Sequence, residues 1–450
     1  MELCTNPVVI AVVILLVLAM LRLNVVFAII IASLVGGMCA GMGEVKTLQA
    51  FSSGLGRGAQ LAFNYALLGA FSIVISRSGI TELLAHTLLK KINKKMTVTN
   101  GHVTGFKYLL LGLLTLIAMS SQNLIPVHIA FIPILIPPLL PVFEKLQLDR
   151  RAVACILTFG LITPYMCFPF GFGRIYINDI LVGSLNSNGM PIKPLLSNTV
   201  TAMAIPALGM LVGLLIAVFI SYRKPRVYEA KSSEAVPAVA AQLEIKPLKV
   251  IAGLVAIVVG FTAQIMLDSL FIASLAAVLV FVIAGVIKLR DTQDVFVQGV
   301  YLMGAIGIVM IAANGFAEVM KASGGVDSLV DFIAHGLGNN RGAAVFMMLF
   351  IGLLITMGIG SSFSTVPLIA AIYVPLCIKL GMSPMATLAV VGVAGALGDA
   401  GSPVSESVLG PTAGLNADGQ HDHIYDSTVP TFIHFNIPLL IAGWIAGMIL

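Results

Sequence analysis

The stretch GLLITMGIGSSFSTVP, residues 352–367, carries the polar cluster SSFST between two apolar runs. An earlier stretch, GLLTLIAMSSQNLIP at 112–126, has the same order of apolar run, polar cluster and proline. Lipid offers no hydrogen bonds, so polar interruptions persist at membrane depth only where protein or a cavity satisfies them. Each stretch therefore predicts a membrane segment that is broken, or turns back as a re-entrant hairpin, at its polar cluster.

The composition of the whole chain also indicates a membrane location. Of its 450 residues, 58% are hydrophobic and 10% are charged, against about 25% charged in a soluble domain. The net charge of +5 comes from basic residues gathered in loops between apolar runs, which is typical of an orientation signal and not of a nucleic-acid surface. The chain is predicted to contact a lipid bilayer and no nucleic acid.

The apolar runs predict the number of membrane segments. Runs long enough to cross about 30 Å of hydrocarbon occur in two sets. They lie near 7–23, 24–43, 51–77, 104–119, 123–140, 151–168 and 196–221, and then near 248–267, 269–287, 296–319, 343–359, 364–380, 384–398 and 431–449. The predicted fold class is an all-α polytopic membrane protein of about 12–14 membrane segments, counting hairpin arms.

The two sets of segments resemble each other in order and spacing. An offset of 245 residues lays Phe51 on Phe296 and Gly54 on Gly299. Because each half has an odd number of segments, the second enters the membrane from the opposite side, which predicts two inverted-topology repeats. Each repeat has two helices, a hairpin, a broken helix and a closing helix. The predicted units are a first repeat half at 1–221, a linker at 222–247 and a second repeat half at 248–450.

The basic residues predict the orientation. Most of the 25 Lys and Arg residues fall on the cytoplasmic side if the N-terminus lies outside, as the positive-inside rule requires. Both termini are then outside, and the expected location is the cell inner (plasma) membrane, with multiple passes. The linker at 222–247 is rich in Ala, Ser, Pro and charge, which is typical of a flexible cytoplasmic tether.

Four polar breaks, paired by the repeat, predict the binding site. They lie at 120–123, 163–171, 361–365 and 398–407, and matched breaks in two halves indicate a site near the bilayer midplane. Hydroxyl, amide and carbonyl oxygens suit a small hard cation, and half-helix N-termini favour a carboxylate. Close helix packing is the alternative for each pair. The candidate ion- and substrate-binding residues are Ser120, Ser121, Gln122, Asn123, Thr163, Pro164, Asn314, Ser361, Ser362, Ser364, Thr365, Asp399, Ser402 and Ser405.

Asp399, in GALGDAGSP, is the sharpest single candidate. A charged side chain at bilayer depth costs at least about 2.5 kcal/mol unless it is solvated, paired or protonated. Such a carboxylate can bind Na⁺ or exchange a proton, and Asp399 is the one candidate metal ligand. Its counterpart at an offset of 234 is Tyr165, so carboxylate chemistry is asymmetric between the halves. The alternative places Asp399 at the membrane surface, capping the following turn.

Other polar residues have more ordinary predicted roles. Glu406 is expected in a loop, and Glu318 is expected to reach water at the outer surface. His128 and His434 lie in apolar runs and are expected to be hydrogen-bonded packing residues. Asn64, like Asn314, either lines the pathway or bonds a neighbouring helix.

The run DGQHDHIYD at 418–426 combines His and Asp, which are ligand types for zinc. Two histidines at i and i+2 are a weak metal signal, and a solvated or gating loop is the favoured interpretation. The sequence contains no GxSxG, P-loop, HExxH or dinucleotide motif. No catalytic residue and no cofactor are therefore predicted, apart from the coupling ion Na⁺ or H⁺.

The C-terminal stretch GVAGALGDAGSPVSESVLGPTAGLNADGQHDHIYDSTVPTFIHFNIPL, at 392–439, resembles the Na⁺/H⁺ antiporter family of the ion transporter superfamily. The related branches are NhaC-like carriers and amino-acid (histidine-type) permeases. The resemblance runs through most of the chain. It implies inverted repeats, each with a re-entrant hairpin and a broken helix, and polar hairpin tips, which are here SSQN at 120–123 and SSFST at 361–365.

These observations predict a secondary active transporter that works by alternating access and is coupled to Na⁺ or H⁺. Na⁺/H⁺ exchange is the favoured reaction. A Na⁺- or H⁺-coupled amino-acid permease is the alternative, because the hydroxyl-rich breaks leave room for a zwitterion. A distant alternative is an intramembrane serine hydrolase that pairs Ser121 or Ser361 with His128 or His434. The predicted partners are the bilayer, a small cation, a small amino acid and, in a homodimer, a second copy.

Overall fold

The computed structural model describes most of the chain. The described residues are 6–21, 23–80, 83, 103–123, 132, 135–193, 196–229, 247–267, 269–326, 328, 340–403 and 405–450. The predicted segment at 123–140 lies mainly outside them, as do His128 and the linker beyond residue 229.

Helices dominate the described residues. They are α1 (Pro7–Met20), α2 (Val25–Cys39), α3 (Gly43–Ser76), α4 (Val103–Asn123), α5 (Leu140–Lys145), α6 (Arg150–Cys167), α7 (Phe172–Ser187), α8 (Leu196–Ile216), α9 (Pro247–Leu267), α10 (Leu270–Ile283), α11 (Thr292–Ala322), α12 (Arg341–Ile359), α13 (Ser362–Lys379), α14 (Pro384–Ala396), α15 (Glu406–Leu415) and α16 (His423–Ile449). Wider π-helical turns extend α8 through Ala217–Ser221 and interrupt α7 and α16.

Several helices are suited to a bilayer. By length and composition, four stretches of the described residues can cross it: Asn198–Ser221, Ser362–Lys379, Pro384–Leu415 and His423–Ile449. The pair α6–α7, bent by 54° at its break, makes a fifth. This confirms the predicted all-α polytopic membrane class, because helices satisfy their own backbone hydrogen bonds in lipid.

Two helices extend beyond their predicted apolar runs. α3 begins at Gly43 and α16 at His423, whereas the runs begin at 51 and 431. Backbone hydrogen bonding does not require apolar side chains, so a helix continues past the hydrocarbon boundary into polar residues such as Lys46 and Asp426. Hydropathy therefore locates the membrane part of a helix but not its end.

α3 and α11 pack closely and antiparallel. Glycines make the approach possible: a β-carbon built on Gly69 would lie 2.2 Å from the Gly299 carbonyl oxygen, and one on Gly54 would lie 2.4 Å from that of Asn314. Between them, Gly307 faces Ala62. An offset of 245 maps Gly54 onto Gly299 and Gly69 onto Asn314, so each of the two contacts is the counterpart of the other. The same offset maps Ala62 onto Gly307, its own contact partner. Such reciprocal contacts are expected around a two-fold axis.

A charged cluster, mostly buried, is formed by Asp149, Arg150, Arg226, Asp418 and Asp426. Arg150 makes a two-pronged ion pair with Asp418 at 2.6 Å, and the two side chains are 0% and 2% exposed. Arg226 pairs with Asp426 at 2.7 Å and lies 3.7 Å from Asp149. The segment 222–229 of the predicted flexible linker is thus held near the starts of α6 and α16, because Arg226 pairs with carboxylates there.

Candidate ion- and substrate-binding site

The first break separates α6 from α7. Pro169 follows Phe168, and a residue before proline disfavours helical angles, so Phe168 is extended with φ −110° and ψ 118°. Gly171 then takes a positive φ of 55°. The chain resumes as α7 in a new direction, and the last turn of α6, with Tyr165, is left pointing into the protein interior, 1% exposed.

The second break is the tip between α12 and α13. Gly360 ends α12 in the left-handed conformation, with φ 74°, as is common at helix C-termini. Ser361 is extended and α13 starts at Ser362. The Ser361 side chain does not cap the new helix, so its first backbone N–H groups are available to a partner from elsewhere.

The third break interrupts the stretch after α14. Gly398 has φ 88°, and a β-carbon there would lie 2.7 Å from both the Leu353 carbonyl oxygen and the Met357 nitrogen. Asp399–Gly401 forms one tight turn, and the Ser405 side chain caps α15 by accepting from the Ser407 N–H at 3.1 Å. The Gly398 conformation turns the next residue toward α6 and α13.

Asp399 is the point where these three breaks meet. Its Oδ2 accepts from the Tyr165 hydroxyl at 2.8 Å and from the Ser362 hydroxyl at 2.8 Å. Its Oδ1 accepts from the Ser405 hydroxyl. The Ser362 N–H points at Oδ2 from 3.4 Å. Asp399 is 4% exposed, so it lies in the interior and caps the start of α13 instead of a surface turn.

The donors around Asp399 determine its chemistry. An ionised carboxylate only accepts hydrogen bonds, whereas a protonated one must also donate. The three hydroxyls from Tyr165, Ser362 and Ser405 therefore match the ionised form, and binding a proton or a cation must reorient at least one of them. The positive end of the α13 dipole adds to this preference.

Tyr165 contributes to the site although residue type alone did not single it out. The Tyr165–Asp399 bond joins residues 234 positions apart, which is the offset that makes them counterparts in the repeat. Counterparts touch each other only near a symmetry axis, so the offset was the signal. Aromatic rings pack around Tyr165, with Tyr176 and Phe363 at 5.0 and 5.1 Å between ring centroids.

Several predicted residues lie close to this centre without touching the Asp399 carboxylate. Ser402 donates to the Met357 carbonyl at 2.9 Å and so ties the third break to α12. Thr365 donates to the Ser361 carbonyl at 2.9 Å, while Ser364 is buried in α13. Thr163, beside Pro164 in α6, is 7% exposed, and its hydroxyl has no hydrogen-bond partner among the described residues.

The first-half tip and Asn314 are placed differently. Ser120 is exposed and donates to the Leu116 carbonyl of its own helix at 2.8 Å. The side chains of Ser121, Gln122 and Asn123 lie outside the described residues. Asn314 lies in the crossing of α3 and α11. The structure therefore brings three of the four breaks to Asp399, and the fourth stays a prediction.

Asn436 contacts the third break, although its place in the sequence did not single it out. The π-helical segment Phe432–Asn436 of α16 turns it toward the third break, where its Oδ1 accepts from the Gly398 N–H at 2.8 Å. Its Nδ2 is left without a hydrogen-bond partner among the described residues, and the residue is 1% exposed. The signal was a lone amide in the apolar run FIHFNIPLL.

Glu406 and His434 differ in how they compare with their predicted roles. Glu406 begins α15 and is not in a loop as predicted, because the Ser405 side chain caps the helix at this point; the residue is exposed. His434 bonds to the Pro430 carbonyl and the Ser221 hydroxyl, both at 2.8 Å. This is the hydrogen-bonded packing role that was predicted for His434.

The apolar helices and the match to a transporter family define the class of this protein as a multi-pass membrane transporter and not an enzyme. Residues 156–444 match the family model described as the Na⁺/H⁺ antiporter family. Residues 6–92 match a second model, described as the Na⁺-H⁺ antiporter family. The first match covers more than half of the chain, so the chain belongs to the Na⁺/H⁺ antiporter family, and the resemblance noted in the sequence is confirmed.

Relatives of similar length exist in several bacteria. A Haemophilus influenzae protein, described as an uncharacterized membrane protein, is 53% identical over 450 residues, which is 99% of this chain and 100% of its own. A Bacillus subtilis protein named putative amino acid transporter YuiF is 44% identical over 448 residues, with coverage of 99% and 100%.

The fold is also similar to that of a solved transporter. MtrF of Neisseria gonorrhoeae, described as belonging to a class of antimetabolite efflux pumps, superimposes with a TM-score of 0.61 at 15% identity. The superposition covers 90% of this chain and 85% of that one. At this identity the likeness shows the fold alone.

Proposed function

We propose that this protein is a secondary active transporter that exchanges Na⁺ for H⁺ by alternating access. The observation that carries the proposal is the buried Asp399 carboxylate, held by three hydroxyls from three different broken elements. Hydroxyls are exchangeable partners: each can rotate its proton away and offer oxygen lone pairs instead. A hard cation prefers such oxygen ligands.

Na⁺ and H⁺ compete for Asp399 in this mechanism. A proton on the carboxyl removes the negative charge that Na⁺ needs, and bound Na⁺ excludes the proton. One side chain can thus couple two opposite fluxes. Ser362, Ser405 and Tyr165 supply oxygens from α13, the start of α15 and α6, so each exchange changes the contacts between these elements.

The same contacts support alternating access. An ion changes the balance between inward and outward states only if it binds one of them better. When the carboxylate is protonated, at least one of its links to Tyr165, Ser362 or Ser405 must change. The tip at Ser361 then acts as a gate. The reciprocal contacts of α3 with α11, and the Tyr165–Asp399 pair, support an inverted repeat with its axis near the site.

The test is Na⁺-induced proton flux in proteoliposomes. Asp399→Asn should lower that flux by at least about 100-fold, because the carboxylate that binds both ions is gone. Asp294→Asn is the matched control: Asp294 lies on α11 with its side chain 60% exposed, paired with Arg77. It should stay near wild type. Flux in Asp399→Asn equal to that of the control would contradict the proposal.

A coupled amino-acid permease is the second candidate function. Asn436, on α16, faces the break that carries Asp399, and its Nδ2 has no hydrogen-bond partner among the described residues. The site thus offers a hydrogen-bond donor for a carboxylate beside an acceptor for an ammonium group. The relative named putative amino acid transporter YuiF supports it. Uptake of L-histidine, but not of its decarboxylated amine, under separately imposed Na⁺ and H⁺ gradients would favour this candidate.

The proposal also includes the membrane location, the orientation and the oligomeric state of the protein. We place it in the cell inner membrane, with both termini outside, the charged cluster in the cytoplasm and no cofactor beyond the coupling ion. A homodimer is the expected oligomer. Labelling of single cysteines introduced at Glu229 and Leu450 by an impermeant maleimide in intact cells tests the orientation: only the second should react.

A further inference from the structure

The tight turn at residues 398–401, which carries Asp399, lies between α12 and α16. We call it the Asp399 turn. On the α12 side, a β-carbon built on Gly398 would lie 2.7 Å from the Met357 nitrogen, so the two backbones pack with no side chain between them. On the α16 side, the Asn436 Oδ1 accepts from the Gly398 N–H at 2.8 Å. Backbone packing thus holds the turn on one side, and a side-chain hydrogen bond holds it on the other.

The Asn436 amide reaches both ends of the Asp399 turn. Its Oδ1 bonds Gly398 at the start of the turn, and a β-carbon built on Gly401, at the end, would lie 2.8 Å from its Nδ2. The direction of the amide is fixed, because turning it over would place its NH₂ group against the Gly398 N–H, with two donors facing each other. Gly401 leaves the space that this amide occupies.

The two polar atoms of the Asn436 amide differ in how they are satisfied. Asn436 is 1% exposed, and its Nδ2 has no hydrogen-bond partner among the described residues. A buried donor without a partner costs stability, so an apolar side chain of similar shape would relieve that cost. It would also lose the bond from the Gly398 N–H. The benefit of an amide at this position therefore lies in its acceptor, Oδ1.

The bond to Gly398 sets the direction of Asp399. Gly398 directly precedes Asp399 and has a positive φ of 88°. If its buried N–H had no acceptor, the turn would gain by rotating to find one. That rotation would move the Asp399 carboxylate away from the Tyr165 and Ser362 hydroxyls, which lie 2.8 Å from Oδ2. Hydrogen bonds weaken steeply outside their usual distances and angles, so Asn436 controls these contacts without making them itself.

We infer that Asn436 is a positioning residue for the proposed exchange: it holds Gly398 so that the Asp399 carboxylate meets its three hydroxyls. The inference rests on the proposed Na⁺/H⁺ exchange and adds to it the residue that fixes the geometry of the ion-binding group. It also gives a role to the π-helical segment Phe432–Asn436, because π turns recur at functional sites and this one connects α16 to the ion site.

The experiment changes the Asn436 side chain and measures Na⁺-induced proton flux in proteoliposomes over a range of Na⁺ concentrations. Asn436→Leu removes the acceptor and keeps a similar shape, and Asn436→Ala takes its place if that variant does not fold. Asn436→Asp keeps an oxygen at the Oδ1 position and removes the NH₂ group. Asn6→Leu is the matched control: Asn6 is 7% exposed and its Oδ1 accepts from the Val8 N–H at 2.9 Å, but it lies just before α1.

The expected result separates affinity from turnover. Asn436→Leu should raise the half-saturating Na⁺ concentration at least about tenfold, because a displaced Asp399 loses a hydroxyl oxygen as a fellow ligand of the ion. The maximal flux should change little, because Asp399 itself remains. Neither Asn436→Asp nor Asn6→Leu should raise the half-saturating Na⁺ concentration.

Three outcomes would overturn the positioning role. If the amide were merely structural, Asn436→Leu would leave fewer active molecules, which lowers the maximal flux without changing half-saturating Na⁺. An equal rise in Asn436→Asp would assign the effect to the NH₂ group and not to the acceptor. An equal rise in Asn6→Leu would make the effect general to buried amides. Absence of Na⁺-induced proton flux in the wild type would instead overturn the proposed exchange, and this inference with it.

Discussion

Two buried carboxylates, Asp399 and Asp418, are satisfied in opposite ways. Asp418 faces the Arg150 guanidinium with both oxygens at 2.6 Å, in a pair that is almost fully excluded from water. Asp399, which is equally hidden, receives hydroxyls from Tyr165, Ser362 and Ser405. One partner is a permanent cation, and the other partners are neutral and can rotate.

The difference separates a structural link from the proposed exchange site. A guanidinium cannot be deprotonated in a protein, so Asp418 has no reason to release it for a passing ion. Arg150 also bonds the Leu415 carbonyl at 3.1 Å, which fixes the end of α15 against α6. The neutral donors at Asp399 supply no counter-charge, and the proposed exchange assigns that role to Na⁺ or H⁺. The permanent contact and the exchangeable contacts thus belong to two different carboxylates, Asp418 and Asp399.

The same substitution at both carboxylates gives the largest expected contrast. Asp418→Asn leaves Arg150 buried without a counter-charge, and breaking a buried pair costs about 3–5 kcal/mol of unfolding free energy. Asp399→Asn should change stability by no more than about 1 kcal/mol, because an amide still accepts and its hydroxyl partners can turn. Denaturant unfolding of the purified protein in detergent measures both.

Arg77→Ala serves as the control for that contrast. Its pair with Asp294 has side chains 36% and 60% exposed, so its loss should cost less than about 1 kcal/mol. If Asp418→Asn were no more harmful than Arg77→Ala, the structural link assigned to Arg150 would be wrong.

The pH dependence of stability sharpens the picture of the charged cluster. The pKa of His421 falls from 6.5 to about 4 because of its burial. Folding therefore favours the neutral ring, so this contribution is complete above pH 6.5 and is lost as pH falls toward 4. It amounts to about 3 kcal/mol at most. The melting temperature should drop between pH 6.5 and 4, and His421→Asn should flatten that drop.

The smallest expected effect comes from one hydroxyl at the exchange site. Tyr165→Phe removes a donor to a charged acceptor, which is worth about 1.5 kcal/mol or roughly tenfold in ion affinity. Tyr373→Phe is the control, since its hydroxyl donates to the Met348 carbonyl at 2.7 Å and not to Asp399. Half-saturating Na⁺ for proton flux should shift only in Tyr165→Phe; a shift of equal size in both variants would count against the site.

Much of the fold and part of the site could be predicted from residue order. Ser362, Asp399 and Ser405 stood out because polar groups within an apolar membrane segment must find their hydrogen-bond partners in the protein. Tyr165 entered only as a counterpart across the repeat, and Asn436 not at all, since an amide beside His434 has an ordinary packing explanation. The Arg150–Asp418 pair joins residues 268 positions apart, and no local pattern connects them.

By itself, the sequence determined that this protein lies in a lipid bilayer, approximately where its helices begin and end, and where they break. Those properties follow from local physics: apolar side chains partition into lipid, and glycine, proline and hydroxyl groups interrupt helices within a few residues. Only the tertiary structure decided which broken ends meet, because a hydrogen bond depends on distances of about 3 Å between segments that the chain separates widely. Asp399 could be named from its neighbours in sequence, but its partners required the fold.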